Sequence, residues 1–281
     1  MNVRQLFSPR SVAVVAGLVG MVSLAIGAHA ALNKRALDAA KAIGTEQSVD
    51  NAGSTRSRLA LVIGNGNYPD AAAPLNQPIN DARALTATLR QSGFDVDVVE
   101  DASKDDMERA VDRLKSRIKP DSVVMLFFGG YGIQAGRESY MIPVDARIWK
   151  EGDVRREGIS VESVLDGIKE KGARAKLVVI DASRRNPYER RFRSYSHGLA
   201  PLAAPDNALI LTSATPGKVA DDSKGQNSVL VSTLLNNFSA QGAGGIEGVF
   251  NKTRVAISRA SDGEQVPSVS SSLLDEIRIG G

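Results

Sequence analysis

The chain has 281 residues, of which 42% are hydrophobic and 24% charged, so it can bury a sizeable core and lacks the composition of a disordered protein. Its net charge of +3 is too balanced to favour nucleic acid as a partner. The absence of cysteine excludes disulfides, thiolate metal sites and a thiol nucleophile. Any chemistry must therefore use oxygen nucleophiles, carboxylates or bound ligands.

The first 30 residues have the pattern of a secretory leader. Arg4 and Arg10 precede the apolar run of residues 11–28, and the small-residue tripeptide AHA follows, which is the order of a signal peptide. The apolar run is also long enough to remain in the membrane as an anchor. Both alternatives predict a periplasmic or secreted protein, or one tethered to the inner membrane with its bulk facing the periplasm.

Residues 31–58 predict a short helix followed by a flexible linker, because the chain turns from alanine-rich to polar and loses its apolar periodicity. The folded domain is expected over residues 59–281. It contains five short apolar runs that predict strands, at residues 59–64, 94–100, 122–128, 175–181 and 208–213. Their mostly continuous apolarity is typical of parallel strands that are covered on both faces.

Amphipathic helical patterns separate these strands. One follows Pro78, one runs between Ser103 and Pro120, and one lies between Ser160 and Gly172. Two more are expected over residues 227–238 and 245–260. Strands that alternate with helices predict an α/β/α sandwich, a largely parallel sheet with helices on both faces. The tail LLDEIRI alternates in polarity and is expected to add an edge strand.

The residues that follow the strands are the first place to look for function. In an open α/β sheet the working site lies beyond the carboxyl ends of the strands. Here those positions carry GNGNY after the first run, GGYGIQ after the third and ASRRNP after the fourth. The glycines that flank Tyr131 allow a tight loop and the close approach of another chain or ligand.

At these motifs the chain resembles the caspase-like peptidases, and in particular the bacterial metacaspase-type members called orthocaspases. The matching segments follow one another from residue 59 to residue 273. They are LALVIGNGNY (59–68), LNQPINDARAL (75–85), GFDV (93–96), GGYGIQ (129–134), YMIPVDA (140–146), LVVIDASRRNP (177–187), ATPG (214–217) and QVPSVSSSL (265–273). The resemblance implies a twisted sheet of about six strands between helical layers, as in an α/β sandwich.

The resemblance also implies a catalytic His between the glycines after the third strand and a catalytic Cys after the fourth. This chain departs at both positions, because it has Tyr131 in place of the His and Ser183 in place of the Cys. The separation, 183 − 131 = 52 residues, matches the roughly 50 residues of a caspase dyad. The spacing of the dyad is retained and both reactive groups are exchanged.

The exchange changes the chemistry that the two positions can perform. A Ser hydroxyl needs a base to remove its proton, and a Tyr side chain, with a pKa of about 10, is itself protonated at neutral pH. Tyr131 and Ser183 are therefore expected to bond to each other or to a ligand, as a degenerate dyad. The alternative is an active hydrolase in which Ser183 attacks with Tyr131 or His197 as base; His197 lies 14 residues beyond Ser183 on a basic loop.

Two acids complete the predicted site. The resemblance implies that Asp81, in INDA, and Asp181, in DAS, line a pocket for a basic side chain. Two carboxylates that converge on a concave site would favour Arg or Lys through charge-assisted hydrogen bonds, so the predicted partner is a peptide or protein with an exposed Arg or Lys. The alternative is structural: Asp81 caps its own helix and Asp181 accepts from backbone donors at the strand end.

The remaining motifs are less specific. GNGNYP fails the dinucleotide fingerprint, no Walker-type motif occurs, and no cofactor or resident metal is predicted. Asp221 and Asp222 are adjacent and would only help to bind a divalent ion. The basic run SRRNPYERRFR, from residue 183, is read either as a solvated loop or as a contact for an acidic partner or lipid headgroups.

Overall fold

The computed structural model describes residues 57–69, 74–191, 198–220, 225–239 and 245–279. Its strands are β1 (Arg58–Gly64), β2 (Asp95–Glu100), β3 (Val123–Gly129), β4 (Gly132–Ala135), β5 (Glu138–Met141), β6 (Ile159–Ser160), β7 (Ala175–Asp181), β8 (Ala208–Thr212) and β9 (Ser268–Ser271). Its helices are α1 (Gln77–Gln91), α2 (Lys104–Arg117), α3 (Glu151–Glu157), α4 (Val161–Glu170), α5 (Val229–Ser239) and α6 (Ile246–Ala260). A 3₁₀ turn spans Glu189–Arg191.

Six strands form the central sheet, in the order β2-β1-β3-β7-β8-β9. The first five are parallel to one another and β9 runs antiparallel to β8 at the edge. Helices α1, α5 and α6 cover one face of the sheet, whereas α2 and α4 cover the other. The predicted fold, an α/β sandwich around a mostly parallel six-stranded sheet, is confirmed.

The two covered faces explain the continuous apolar runs of the strands. In β1, Ala60 and Val62 belong to the core beneath α1, while Leu61 and Ile63 belong to the core beneath α2. Successive side chains of a strand point to opposite faces, so both sets must be apolar. The five predicted strands all form, and β1 begins at Arg58, one residue before the expected start.

Local signals set the ends of two helices as predicted. Ser103 accepts a hydrogen bond from the backbone N–H of Asp106, whose side chain bonds back to the Ser103 N–H, so α2 begins in a capping box. Ser160 accepts from the backbone N–H of Ser163 at the start of α4. Helix α4 ends at Glu170, and Gly172 follows with a φ of +78°, a conformation that glycine adopts without strain.

The periphery of the domain differs from the sequence prediction. The tail LLDEIRI forms no strand; the edge strand is β9, in the preceding segment, and Leu274 lies exposed. A second sheet, which was not predicted, contains β5 paired antiparallel with both β4 and β6. Its hairpin turns at Gly136, whose φ is +67°.

Several predictions fall outside the described residues. They concern the leader and its apolar run, the linker up to residue 56, His197, and the pair Asp221 and Asp222. Among the helices that the structure does describe, none has both the length and the apolar character needed to cross a bilayer.

Candidate functional site

Three strand ends meet at one edge of the central sheet. In the parallel register, Gly64 at the end of β1 pairs with Gly129 at the end of β3, and Gly129 pairs with Asp181 at the end of β7. The loops that follow these strands therefore begin side by side. This is the edge at which an open α/β sheet places its ligands.

Backbone hydrogen bonds join the two loops that carry the degenerate dyad. The N–H of Gly130 donates to the carbonyl of Asp181 (3.2 Å), and the N–H of Gly132 donates to the carbonyl of Ala182 (3.0 Å). A Cβ at position 132 would lie 2.6 Å from Cδ2 of Leu199 and 2.9 Å from Cβ of Ala182. The glycine after Tyr131 thus permits this close approach, which brings the segments of Tyr131 and Ser183 together.

Tyr131 packs against a second tyrosine that the sequence reading did not single out. The rings of Tyr68 and Tyr131 are 4.8 Å apart in an edge-to-face arrangement. The hydroxyl of Tyr68 donates to the carbonyl of Ile142 (2.9 Å) and accepts from the N–H of Tyr131 (3.1 Å). Burial raises the pKa of Tyr68 far above its usual value. Tyr68 is therefore a neutral structural support for the Tyr131 loop.

Ser183 is enclosed at the end of the fourth parallel strand. Only 1% of the residue is exposed. Its N–H donates to Oγ of Ser213 (3.3 Å), while its own Oγ has no hydrogen-bond partner among the described residues. Three residues later, Nδ2 of the buried Asn186 has none either. Ser183 Oγ thus makes no hydrogen bond to Tyr131 or to a described base, and the other expected outcome, a bond to a ligand, stays a prediction.

Asp81 lies fully buried on α1 and does not cap its own helix. That helix begins at Gln77, and the residue before it, Asn76, makes no side-chain cap bond. Instead, Oδ1 of Asp81 accepts from Nδ2 of Asn227 (2.8 Å) and from the N–H of Ser228 (3.0 Å). These residues precede α5, so Asp81 ties α1 to the start of another helix. The structural alternative, in which Asp81 caps its own helix, is therefore wrong.

Asp181 is the second buried acid of the site. Its Oδ1 lies 3.9 Å from Nη2 of Arg184, and both side chains are almost completely buried. The Oδ2 atoms of Asp181 and of Asp81 both lack a hydrogen-bond partner in the described part of the chain. Burial, and secondly the charge of Asp181, raise the pKa of Asp81 to about 6. The two carboxyl groups are therefore close enough to interact.

The two buried carboxyl groups each retain an acceptor oxygen without a partner. Such acceptors are usually satisfied by donors such as a guanidinium or ammonium group. Within the described ranges, no cluster of three or more acids or histidines is arranged to hold a metal ion. The described chemistry of the site is therefore that of a buried acidic pair.

The basic run after Ser183 divides into two kinds of residue. Arg185 and Arg190 are exposed, as a solvated loop requires, and Arg191 stacks over the exposed ring of Trp149 at 4.4 Å. Arg184 differs, because only 5% of it is exposed and it lies beside Asp181. Neither reading of the basic run, as a solvated loop or as a contact surface, holds for Arg184.

The sheet order, the helical layers and the paired strand-end loops define a caspase-like α/β domain. The model of the caspase domain family matches residues 57–278, and the chain belongs to this family. The prediction made from the strand-end motifs is confirmed at this level.

Two mammalian proteins are similar over part of the chain. Mucosa-associated lymphoid tissue lymphoma translocation protein 1 of Homo sapiens is 31% identical over 146 residues, which cover 51% of this chain and 17% of the human protein. The Mus musculus homolog is 30% identical over 136 residues, or 48% of this chain and 16% of the mouse protein. The similarity thus spans less than a fifth of either relative. The metacaspase-type assignment stays a prediction.

Proposed function

We propose that this caspase-fold domain is a catalytically inactive binding protein that takes an exposed Arg or Lys of a peptide or protein partner into its strand-end cleft. Asp81 and Asp181 are its recognition groups. The observation that carries the proposal is that both acids are buried at one site while each leaves its Oδ2 without a hydrogen bond from any described residue.

The energetics of burial favour a cationic ligand. A buried carboxylate oxygen without a hydrogen bond is costly, and structures rarely retain two such atoms in one place without a reason. A guanidinium or ammonium group donates charge-assisted hydrogen bonds that remove this cost. Binding is therefore strongest for a ligand that brings both a positive charge and donors to the two Oδ2 atoms.

The loss of catalysis follows from the groups at the dyad positions. Ser183 needs a base within hydrogen-bond reach, and its Oγ meets none among the described residues. Tyr131, which stands where the family resemblance implies His, is a phenol that holds its proton at neutral pH. The site therefore binds without generating an alkoxide.

Calorimetric titration with two blocked tripeptides, one with arginine and one with its neutral isostere citrulline, tests the binding proposal. We expect the arginine peptide to bind at least about tenfold more tightly than the citrulline peptide. Asp81→Asn and Asp181→Asn should each lower the affinity for the arginine peptide about tenfold, which corresponds to roughly 1.4 kcal/mol. Asp105→Asn, a change at an exposed acid of α2, is the matched control. Equal affinity for the two peptides, or unchanged affinity in both variants, contradicts the proposal.

Labelling with a fluorophosphonate tests the loss of catalysis. We expect no adduct on the wild-type protein, because the probe reacts with activated serines. Ser183→Ala serves as the background control. An adduct at Ser183 together with turnover of arginine or lysine peptides establishes the alternative, an active hydrolase.

A further inference from the structure

Arg184 is the cation that the chain itself places in the acidic pocket. It follows Ser183 directly, and its Nη2 lies 3.9 Å from Oδ1 of Asp181. The side chains of Arg184 and Asp181 are only 5% and 2% exposed, whereas the next residue, Arg185, is exposed. The burial of Arg184 is therefore specific to this position and is not a general property of the basic run.

The separation of these two groups determines what the guanidinium does. A distance of 3.9 Å exceeds that of a hydrogen bond, so Arg184 compensates the charge of Asp181 without occupying its Oδ2. Two ionised carboxylates and one guanidinium leave the pocket with a net charge of −1. The unpartnered Oδ2 atoms of Asp81 and Asp181 remain acceptors for a second cation. That second cation is repelled by the guanidinium of Arg184.

We propose that Arg184 is an internal competitor that sets the affinity of this pocket, so that a ligand cation binds against a guanidinium already beside Asp181. The inference rests on the proposed function, in which Asp81 and Asp181 receive an Arg or Lys of the partner. Removal of the internal charge makes the pocket doubly negative. Coulomb attraction between unlike charges a few ångströms apart is strong in a partly buried site, so the change must strengthen cation binding.

Replacement of Arg184 and of its neighbour forms a matched pair. Arg184→Gln and Arg185→Gln each remove one positive charge from adjacent residues, but only the first removes it from the pocket. Both variants are titrated with the arginine and citrulline peptides at pH 8, where Asp81 is ionised. We expect Arg184→Gln to bind the arginine peptide about tenfold more tightly and the citrulline peptide within about twofold of wild type. Arg185→Gln stays within about twofold for both peptides, because exposed charges are screened.

The outcomes separate this inference from the proposed function. If wild type prefers arginine to citrulline but Arg184→Gln binds arginine equally or more weakly, the competitor role is overturned and the pocket stands. If neither wild type nor Arg184→Gln binds the arginine peptide, both proposals fall. Should Arg184→Gln not fold, Arg184→Met provides the test, because it also removes the charge while its flexible side chain fills part of the same buried space. It is expected to bind the arginine peptide about tenfold more tightly, and equal or weaker binding overturns the inference.

Discussion

At the scale of single residues, the site depends on an acid whose partners lie far away in the sequence. Asp81 accepts from Asn227 and Ser228, 146 and 147 residues further along the chain. The motif INDA indicated a recognition residue by resemblance. It carried no sign of these two donors, because no local pattern encodes a contact between α1 and the start of α5. The burial of Arg184 was not predicted either, because the neighbouring arginines of the basic run are the same residue type and are exposed.

The raised pKa of Asp81 predicts a pH dependence of stability. Its folded value of about 6 exceeds its ordinary value of 3.8, so the folded state holds the proton more tightly. This contribution is fully present below pH 3.8 and is lost as the pH rises through about 6. Its size is on the order of 2 to 3 kcal/mol.

Asp81→Asn removes this titration and keeps an acceptor for Asn227 and Ser228. Relative to wild type, the free energy of unfolding of the variant should therefore rise by about 2 to 3 kcal/mol from pH 4 to pH 7.5. Urea unfolding at several pH values measures the difference, and Asp105→Asn is the control that tracks wild type. A difference between Asp81→Asn and wild type that stays constant over this range refutes the assigned burial effect.

At the scale of elements, periodicity and caps predicted the central layers but not the second sheet. Strands β1, β2, β3, β7 and β8 and the caps of α2 and α4 carry their signals locally. Strands β4 and β5 have four residues each and β6 has two, too few to show a period. The one local signal was Gly136, because a glycine at the first turn position favours a tight hairpin. The prediction of an edge strand in the tail LLDEIRI was wrong, because alternating polarity alone does not supply a partner strand.

Gly132 is the element-scale residue on which the loop pairing depends. A Cβ there meets Cδ2 of Leu199 at 2.6 Å and both Cβ and the carbonyl oxygen of Ala182 at 2.9 Å. Gly132→Ala should therefore force β4 away from the segment before Ser183 and cost about 1 to 3 kcal/mol of stability. Gly152→Ala, in α3, meets nothing within 4 Å and should be neutral or stabilising by up to about 1 kcal/mol. Thermal or urea unfolding compares the two variants; equal effects contradict the close approach at Gly132.

At the scale of the whole molecule, the chain has the fold of the caspase domain family but not the His and Cys that the resemblance implies for the dyad. The caspase domain match runs over residues 57–278, and the strand-end loops meet in the expected place. The chain nevertheless has Tyr131 and Ser183 at the dyad positions. The fold was predictable because motifs along the whole domain agree. The resemblance also predicted a basic partner for Asp81 and Asp181, and this stays a prediction. Which of their buried oxygens lack a hydrogen bond was not predictable, because it depends on contacts between distant segments of the chain.

We propose that the domain works outside the cytoplasm, on the strength of the leader pattern in residues 1–30. A fusion of these residues to alkaline phosphatase should be active in a bacterial host, because that enzyme needs the oxidising periplasm to form its disulfides. Arg4→Glu combined with Arg10→Glu should reduce the activity, since the positive flank sets the orientation. An inactive wild-type fusion of normal abundance contradicts export.

The most direct measurement of the central claim restores the two missing catalytic groups. Tyr131→His combined with Ser183→Cys places a base and a thiol on the paired loops, and a fluorogenic arginine peptide reports cleavage, with the citrulline peptide and Ser183→Cys alone as controls. If the cleft still binds a basic residue and only its chemistry is lost, wild type leaves the arginine peptide intact and the double variant cleaves it after arginine. Cleavage by wild type, or a folded double variant that leaves the peptide intact, contradicts the account.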